Sequence, residues 1–182
     1  MSVGIALSFL LPVPPILGQL QGEGEYRSKA SFLSKFPLFV DWPEGALPTR
    51  GAPFLICAFG DYPFGVSLPE ITRGSTIHER PVEARWVHKE QDLLACQIVF
   101  VSRSERKKYN RILEALREQA VLTVGETPEF LDAGGIVTFS VQQGTLQFDV
   151  NLAAANRSHL RIKSQLLALA RHVVNQTEAA KS

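Results

Sequence analysis

The chain has 182 residues, 45% of them hydrophobic, so it can bury one sizeable core but is short for two. Its 19 Lys and Arg residues nearly balance its 18 Asp and Glu residues, and neither sign forms a long run. This balance excludes a nucleic-acid or membrane-surface function that depends on net charge. We therefore expect a single domain whose partners recognise its shape.

The first 22 residues, MSVGIALSFLLPVPPILGQLQG, are an apolar run followed by small and polar residues. This pattern is typical of a secretory signal, although no Lys or Arg precedes the run. The alternative is a buried strand or an anchoring helix, but Pro12, Pro14 and Pro15 interrupt the run well short of a bilayer span. We predict a signal peptide at residues 1–22, an exported α/β domain at residues 23–176 and a polar tail at residues 177–182.

Residues 29–43, KASFLSKFPLFVDWP, carry apolar side chains at intervals of three and four, the spacing of one helix face. Pro37 removes a backbone donor inside this pattern, so we expect the helix to kink or restart there. Trp42 and Pro43 then predict an extended exit. The spacing indicates a helix that packs against the core through Phe32, Leu33, Phe36, Phe39 and Val40.

The rest of the chain alternates short apolar runs with helical patterns. Continuous apolar runs are typical of buried parallel strands, and an alternating run is typical of an edge strand. The predicted strands are residues 54–61, 81–87 (an edge strand), 97–102, 121–125, and a hairpin of 136–141 with 145–152. The predicted helices are residues 66–71, 103–119, a short helix after Thr127, and 161–174. The pattern predicts a single-domain α/β sandwich with a largely parallel sheet flanked by helices, and a C-terminal β-hairpin plus helix.

The chain has two cysteines, Cys57 within one predicted strand and Cys96 at the start of another. In open α/β sheets the first and third strands of such a run are commonly neighbours, which would bring the two thiols together. One alternative is a disulfide, and the other is two free cysteines that act as small hydrophobic residues. Export favours the disulfide because paired thiols oxidise in the periplasm.

The sequence contains no recognisable catalytic constellation. The four histidines lie on different segments without metal-site spacing, no phosphate-binding loop motif is present, and neither cysteine has a histidine near it in sequence. We therefore predict no enzymatic activity, no metal and no cofactor. Loops at the carboxyl ends of parallel strands form the ligand sites of open α/β folds, so the pocket candidates are Asp61, Phe64, Ser102 and Glu126.

Several blocks between residues 26 and 174 resemble the YfiR/HmsC-like family of bacterial periplasmic regulatory proteins. The first block comprises Lys29, Ala30, Phe32, Leu33, Phe36, Phe39, Val40, Trp42 and Pro43. The others are CAFGDYPFG (57–65), CQIVFVSRSE (96–105), LTVGETPEF (122–130), GGIVTF (134–139), FDVNLAAA (148–155) and IKSQLLALA (162–170). Their common order and spacing carry the resemblance.

The resemblance implies a periplasmic repressor that acts by binding. Its expected partner is the periplasmic domain of an inner-membrane diguanylate cyclase, whose restraint keeps cyclic di-GMP and biofilm formation low. Some relatives carry a further cysteine pair near the Gly-Gly segment, but residues 131–147 contain no cysteine here. A redox response would therefore have to use Cys57 and Cys96.

Two surfaces are candidates for docking this partner: Phe36, Phe39 and Trp42 at the end of the first helix, or the final helix. Apolar anchors of this kind dominate binding energetics when a pocket receives them, although the same aromatics can simply fill the core. The alternative function is a periplasmic small-ligand receptor that uses the strand-end loops. We expect no membrane insertion after signal removal, and the sequence leaves a homodimer open.

Overall fold

The structure, a computed structural model, describes residues 16–175, with side chains from residue 22 onwards. The described helices are α1 (Ile16–Lys35), α2 (Ser67–Thr72), α3 (Tyr109–Leu116), α4 (Pro128–Asp132), α5 (Leu152–Arg157) and α6 (Ser164–Leu167). The described strands are β1 (Val40–Asp41), β2 (Phe54–Phe59), β3 (Thr76–Ile77), β4 (Arg80–Val87), β5 (Ile98–Val101), β6 (Leu122–Gly125), β7 (Val137–Gln142), β8 (Thr145–Asn151), β9 (Arg161–Ile162) and β10 (His172–Val174). Segments of 3-10 helix occupy Phe36–Phe39, Glu90–Ala95 and Arg103–Lys108.

Eight strands form one mostly parallel sheet in the order β10-β8-β7-β6-β5-β2-β4-β3. Only the hairpins β7–β8 and β3–β4 pair antiparallel within it, and β1 pairs antiparallel with β9 in a separate ribbon. The apolar runs of β2, β5 and β6 lie at the centre, where both faces of the sheet are covered. The predicted α/β sandwich with a largely parallel sheet is confirmed.

Two apolar layers cover the two faces of the sheet. On one face α1 contributes Leu33 and Phe36, and the Phe36 ring stacks on Phe139 with ring centres 5.8 Å apart. On the other face α3 and α4 contribute Leu113 and Phe130 among others. The alternation of side chains along each strand therefore divides the core into these two layers.

The first helix ends where its proline predicts. Helix α1 stops at Lys35, and Pro37 lies in the 3-10 segment Phe36–Phe39, which leads into β1. A proline at the start of such a segment loses no intrahelical hydrogen bond, because the first amides of a helix have no partner within it. The predicted restart of the chain at Pro37 is thus confirmed.

The predicted helix over residues 161–174 is wrong. The chain instead forms β9, the single turn α6, and β10, which adds parallel to β8 in the register His172 to Asp149. Tertiary contacts override the helical spacing here: Arg161 donates two hydrogen bonds to Asp41, and Arg171 pairs with Asp149. The C-terminal hairpin is present, but a strand, rather than a long helix, completes the sheet.

Two further predictions need correction. Residues 103–119 do not form one helix, because the first part is the 3-10 segment Arg103–Lys108, capped by the Ser102 side chain. Cys96 does not begin a strand but follows the 3-10 segment Glu90–Ala95 as its C-cap, two residues before β5. The amphipathic character of residues 103–119 still places Tyr109, Ile112, Leu113 and Leu116 in the core.

The predicted signal peptide and tail lie largely outside the described residues. Residues 1–15 and 176–182 carry no structural description, and α1 begins at Ile16, within the predicted signal. Among the helices of residues 16–175, none combines the length and the apolarity that a membrane span requires.

Candidate functional site

The carboxyl ends of β5 and β6 meet beside α1 and surround one buried carboxylate, Glu126. Gly125, the last residue of β6, lets the Phe130 ring pack directly over the strand end, since a Cβ atom there would lie 2.2 Å from its Cγ. Glu126 follows at once, with its side chain fully removed from solvent. The tight turn into α4 thus fixes the place of the carboxylate.

Two residues of α1 donate to Glu126. Lys29 Nζ lies 2.6 Å from Oε2, and the Tyr26 hydroxyl lies 2.8 Å from the same oxygen. Lys29 is only 2% exposed, yet it also pairs with Glu25 at 2.5 Å and lies 4.2 Å from the centre of the Tyr26 ring. A buried ammonium needs this number of partners because it has lost its water.

Arg103, directly after Ser102 at the end of β5, completes the coordination of Glu126. Its backbone N–H lies 3.0 Å and its Nε 3.2 Å from Oε1, and its Nη2 lies 3.3 Å from Oε2. Glu126 therefore accepts five hydrogen bonds, which exceeds the roughly four lone-pair sites of a carboxylate. No acceptor capacity remains for a substrate.

The charges of this Glu126 cluster hold the carboxylate ionised. Burial alone would raise the pKa of Glu126, but the hydrogen bonds from Arg103 and the charge of Lys29 outweigh it and keep that pKa below its usual range. Burial and the Glu126 charge both raise the pKa of Tyr26. The cluster thus fixes Tyr26 as a neutral donor and Glu126 as an anion, an arrangement suited to tying α1 to the strand ends.

The four predicted pocket residues all lie at this carboxyl edge, but they do not line one cavity. Phe64 packs in the core against the Tyr26 and Phe100 rings, at 5.7 and 4.8 Å between centres. Ser102 is buried as a helix cap, and Asp61 is exposed, its backbone N–H bound to Ser104 Oγ at 2.9 Å. Tyr26 contacts both Phe64, through its ring, and Glu126, through its hydroxyl, whereas Asp61 is not part of this group.

An open groove of about 530 Å³ lies next to the Glu126 cluster. The first turns of α1 supply Glu23 and Arg27 to its wall, and residues 63–67 form the opposite side. Phe64 is the pocket candidate that lines this groove. Its volume falls within the range of small-molecule sites.

The predicted docking aromatics lie mostly inside the protein. Phe36 is fully buried between Phe139 and Phe148, so it is not available to a partner, which corrects its place in a docking surface. Trp42 is half-buried, its ring against Phe54 and its Nε1 donating to Ala120 O at 3.0 Å. Phe39 is half-buried too. The exposed apolar residue in this segment is Leu38.

The two cysteines are joined in a disulfide. Cys57 of β2 and Cys96 lie 6.1 Å apart at their Cα atoms, in the core layer that faces α3. The neighbouring position of β2 and β5, which pair in parallel, brings them together as the sequence predicted. The disulfide anchors the segment before β5 to the centre of the sheet.

Sequence reasoning missed Lys29 and Arg103 as parts of a site. The available signal was Lys29 itself, which stands three and four residues before Phe32 and Leu33 on an otherwise apolar helix face. A lysine in a buried stripe requires an anion, but the sequence does not say which. Within residues 16–175, no group of three or more His, Cys, Asp and Glu side chains is arranged to hold a metal ion.

These features define an α/β domain with an open, mostly parallel sheet and a buried charge cluster that ties α1 to the ends of β5 and β6. The chain belongs to the YfiR/HmsC-like family, whose sequence profile matches residues 26–171. The resemblance inferred from the sequence blocks is thereby confirmed. No curated protein matches the chain.

Among solved structures, the chain is similar to the ABC domain of Streptococcus pneumoniae determined in complex with L-Trp, with a TM-score of 0.51 and 10% identity. The match covers 81% of this chain and 60% of that chain. A conserved domain protein of Vibrio cholerae has a TM-score of 0.48 at 11% identity, over 82% of this chain and 60% of that one. At these identities the first similarity concerns the fold alone.

Proposed function

We propose that this protein is a periplasmic repressor that binds the periplasmic portion of an inner-membrane diguanylate cyclase and lowers cyclic di-GMP and biofilm formation. The observation that carries the proposal is membership of the YfiR/HmsC-like family over residues 26–171. The Glu126 cluster supports binding over catalysis, because every acceptor site of its carboxylate is already occupied.

The docking surface we propose starts at the end of α1. Leu38 is 56% exposed, although it follows directly on the buried Phe36 and Pro37. Lys163 donates to the Leu38 carbonyl through Nζ at 3.0 Å and to the Phe39 carbonyl through its backbone N–H at 2.9 Å. The segment therefore presents Leu38 from a firmly held backbone, which limits the entropy that docking would cost.

The test is to compare Leu38→Asp with a control at Leu94, which is equally exposed on the 3-10 segment Glu90–Ala95. Each exported variant is used to capture membrane proteins from bacterial envelopes, and cellular cyclic di-GMP is measured in parallel. We expect the wild type and Leu94→Asp to recover a diguanylate cyclase with a periplasmic domain and to lower cyclic di-GMP. Leu38→Asp should lose both effects while its melting temperature stays unchanged.

Recovery of the wild-type protein alone, from envelopes that contain such cyclases, would contradict the repressor proposal. Equal capture by Leu38→Asp would contradict only the docking surface. The two outcomes are distinguishable because the first concerns the partner and the second concerns where that partner binds.

The groove beside α1 favours a second candidate, a small-ligand receptor. Phe64 supplies an aromatic wall, and Arg27 and Glu23 supply charges, in a space of about 530 Å³. A ligand that binds only the folded state raises the melting temperature with its concentration. Screening small metabolites by thermal shift, with Val66→Trp as a variant that fills the groove, tests this candidate.

A further inference from the structure

Two charged side chains of α1 line the groove without an ion-pair partner. Glu23 and Arg27 stand one helical turn apart, and both belong to the wall of this space of about 530 Å³. Glu25 and Lys29 have the same spacing on the same helix and pair at 2.5 Å. In the part of the chain that the structure describes, neither Glu23 nor Arg27 makes such a pair. The groove therefore offers one anion and one cation side by side.

The opposite wall of the groove is mostly apolar. Pro63, Phe64 and Val66 supply it, and Ser67 adds one hydroxyl. Phe64 is held in the core with its ring against Tyr26, whereas Val66 is 69% exposed. A ligand that satisfies both walls therefore carries an ammonium, a carboxylate and an apolar side chain.

The spacing of the two charges indicates the length of this ligand. Four residues of an α-helix rise about 6 Å along its axis, which is the offset between Glu23 and Arg27. An extended dipeptide spans about 6.6–7.2 Å, whereas a single amino acid spans about half of that length. A dipeptide with free termini thus reaches both side chains at once. A free amino acid is too short to do so unless the two side chains bend towards each other.

We propose that the groove binds a dipeptide with free termini and an apolar side chain, its ammonium on Glu23 and its carboxylate on Arg27. The guanidinium of Arg27 can donate two parallel hydrogen bonds to that carboxylate. Successive side chains of an extended peptide point to opposite sides, so one of them packs against Phe64 and Val66 while the other faces solvent. The inference rests on the second candidate function, the small-ligand receptor, and names the class of its ligand.

The first test titrates the protein with the dipeptide Leu-Leu by calorimetry and by thermal shift. We expect a dissociation constant of about 0.1–1 mM, since both charges of the groove are exposed to water. Acetylating the amino group of the peptide or amidating its carboxyl group should each weaken binding about tenfold, and free leucine should bind more weakly by a similar factor. The absence of both signals at millimolar Leu-Leu, or equal binding of the blocked peptides or of leucine, would overturn the proposal.

The second test assigns each end of the peptide to its side chain. Arg27→Gln should weaken Leu-Leu binding about tenfold without changing the affinity for the amidated peptide, which has no carboxylate to bind. Glu23→Gln should act in the same way on Leu-Leu and on the acetylated peptide. Glu118→Gln is the matched control: it removes an exposed carboxylate that follows α3, on the other face of the sheet, and should bind Leu-Leu as the wild type does. Variants that weaken binding of free and blocked peptides equally would overturn the assignment.

A third measurement places the peptide in the groove and separates this inference from the proposed functions. Val66→Trp, which fills the groove, should abolish Leu-Leu binding, and unchanged binding would overturn the proposal. A thermal shift with other metabolites but not with Leu-Leu would retain the receptor candidate and refute the dipeptide. Capture of a diguanylate cyclase tests the repressor function independently of the groove.

Discussion

Two carboxylates, Glu126 and Asp149, each hold a segment of chain against the sheet, but they do so at different depths. Glu126 binds α1 through Lys29, whose side chain is 2% exposed. Asp149 binds the start of β10 through Arg171 and His172, whose side chains are 26% and 65% exposed. In both places an ion pair joins distant parts of the chain. The difference is whether water can replace a lost partner.

The largest expected effect is that of Lys29→Met. This variant leaves Glu126 buried beside the half-exposed Arg103 and removes the shared cation between Glu25 and Glu126. Breaking one side of a buried ion pair costs about 3–5 kcal/mol, and we expect a loss near the lower end of that range because Tyr26 and Arg103 still donate to Glu126. Urea-induced unfolding, followed by circular dichroism, measures the free energy of unfolding of the variant and the wild type.

The matched control for this prediction is the double variant Lys29→Met with Glu126→Leu. Apolar residues of similar size often replace a buried ion pair without loss of stability, so the double variant should regain most of the stability that Lys29→Met loses. If the free energy of unfolding of Lys29→Met lay within about 1 kcal/mol of the wild-type value, water would be replacing the lost ammonium. The burial of Glu126 would then not determine the cost of losing a partner.

The fold could be predicted where local pattern and tertiary contacts agree. The runs FLICAF, IVFV and LTVG are buried strands both by pattern and in the structure. The helix prediction for residues 161–174 is wrong because Leu166, Leu167 and Leu169 have helical spacing although the segment is held by distant residues. Arg161 is bound to Asp41, and Arg171 is bound to Asp149. No local pattern encodes those pairings, so β10 could not be foreseen.

The candidate site shows the same limit. Glu126 was foreseen as a residue of the strand-end loops, since its position after β6 follows from the strand pattern alone. Its five donors come from two separate segments, α1 and the turn after β5, and only the folded chain joins them. The sequence therefore predicts the place of the carboxylate but neither its partners nor its burial.

The second prediction concerns how the stability of the protein falls at acidic pH, where Glu126 and Asp149 become protonated. Against the effect of burial, Arg103 and Lys29 hold the pKa of Glu126 below its ordinary value of 4.5, and Arg171 likewise holds that of Asp149 below 3.8. A carboxyl group whose pKa is lower in the folded than in the unfolded protein stabilises the fold. This contribution to the free energy of unfolding is complete above the unfolded-state pKa and is lost as the pH falls through the folded-state pKa. We expect the wild type to lose stability progressively below about pH 5.

The variants Glu126→Gln and Asp149→Asn separate the two contributions. Each removes one titrating carboxyl, so each should flatten the fall of melting temperature between about pH 5 and pH 3. Glu126→Gln should flatten it more, because its carboxylate is the more completely enclosed of the two. An acid profile identical in wild type and Glu126→Gln would show that Glu126 titrates as if exposed.

The smallest effect is expected from Arg171→Met. Arg171 donates through Nε to Asp149 Oδ1 at 2.9 Å and also pairs with Oδ2. Asp149 keeps its hydrogen bond from the His172 backbone, and because the Arg171 side chain is 26% exposed, water can reach the place that it leaves. The loss should therefore be about 1 kcal/mol in global stability. Hydrogen exchange should show where it falls: the amides of residues 172–174, which join β10 to β8, exchange faster, while those of β5 and β6 do not change. If amide exchange in β5 and β6 accelerated as much as in residues 172–174, the loss of the Arg171 pair would destabilise the whole sheet. The predicted difference between Asp149 and Glu126 would then be wrong.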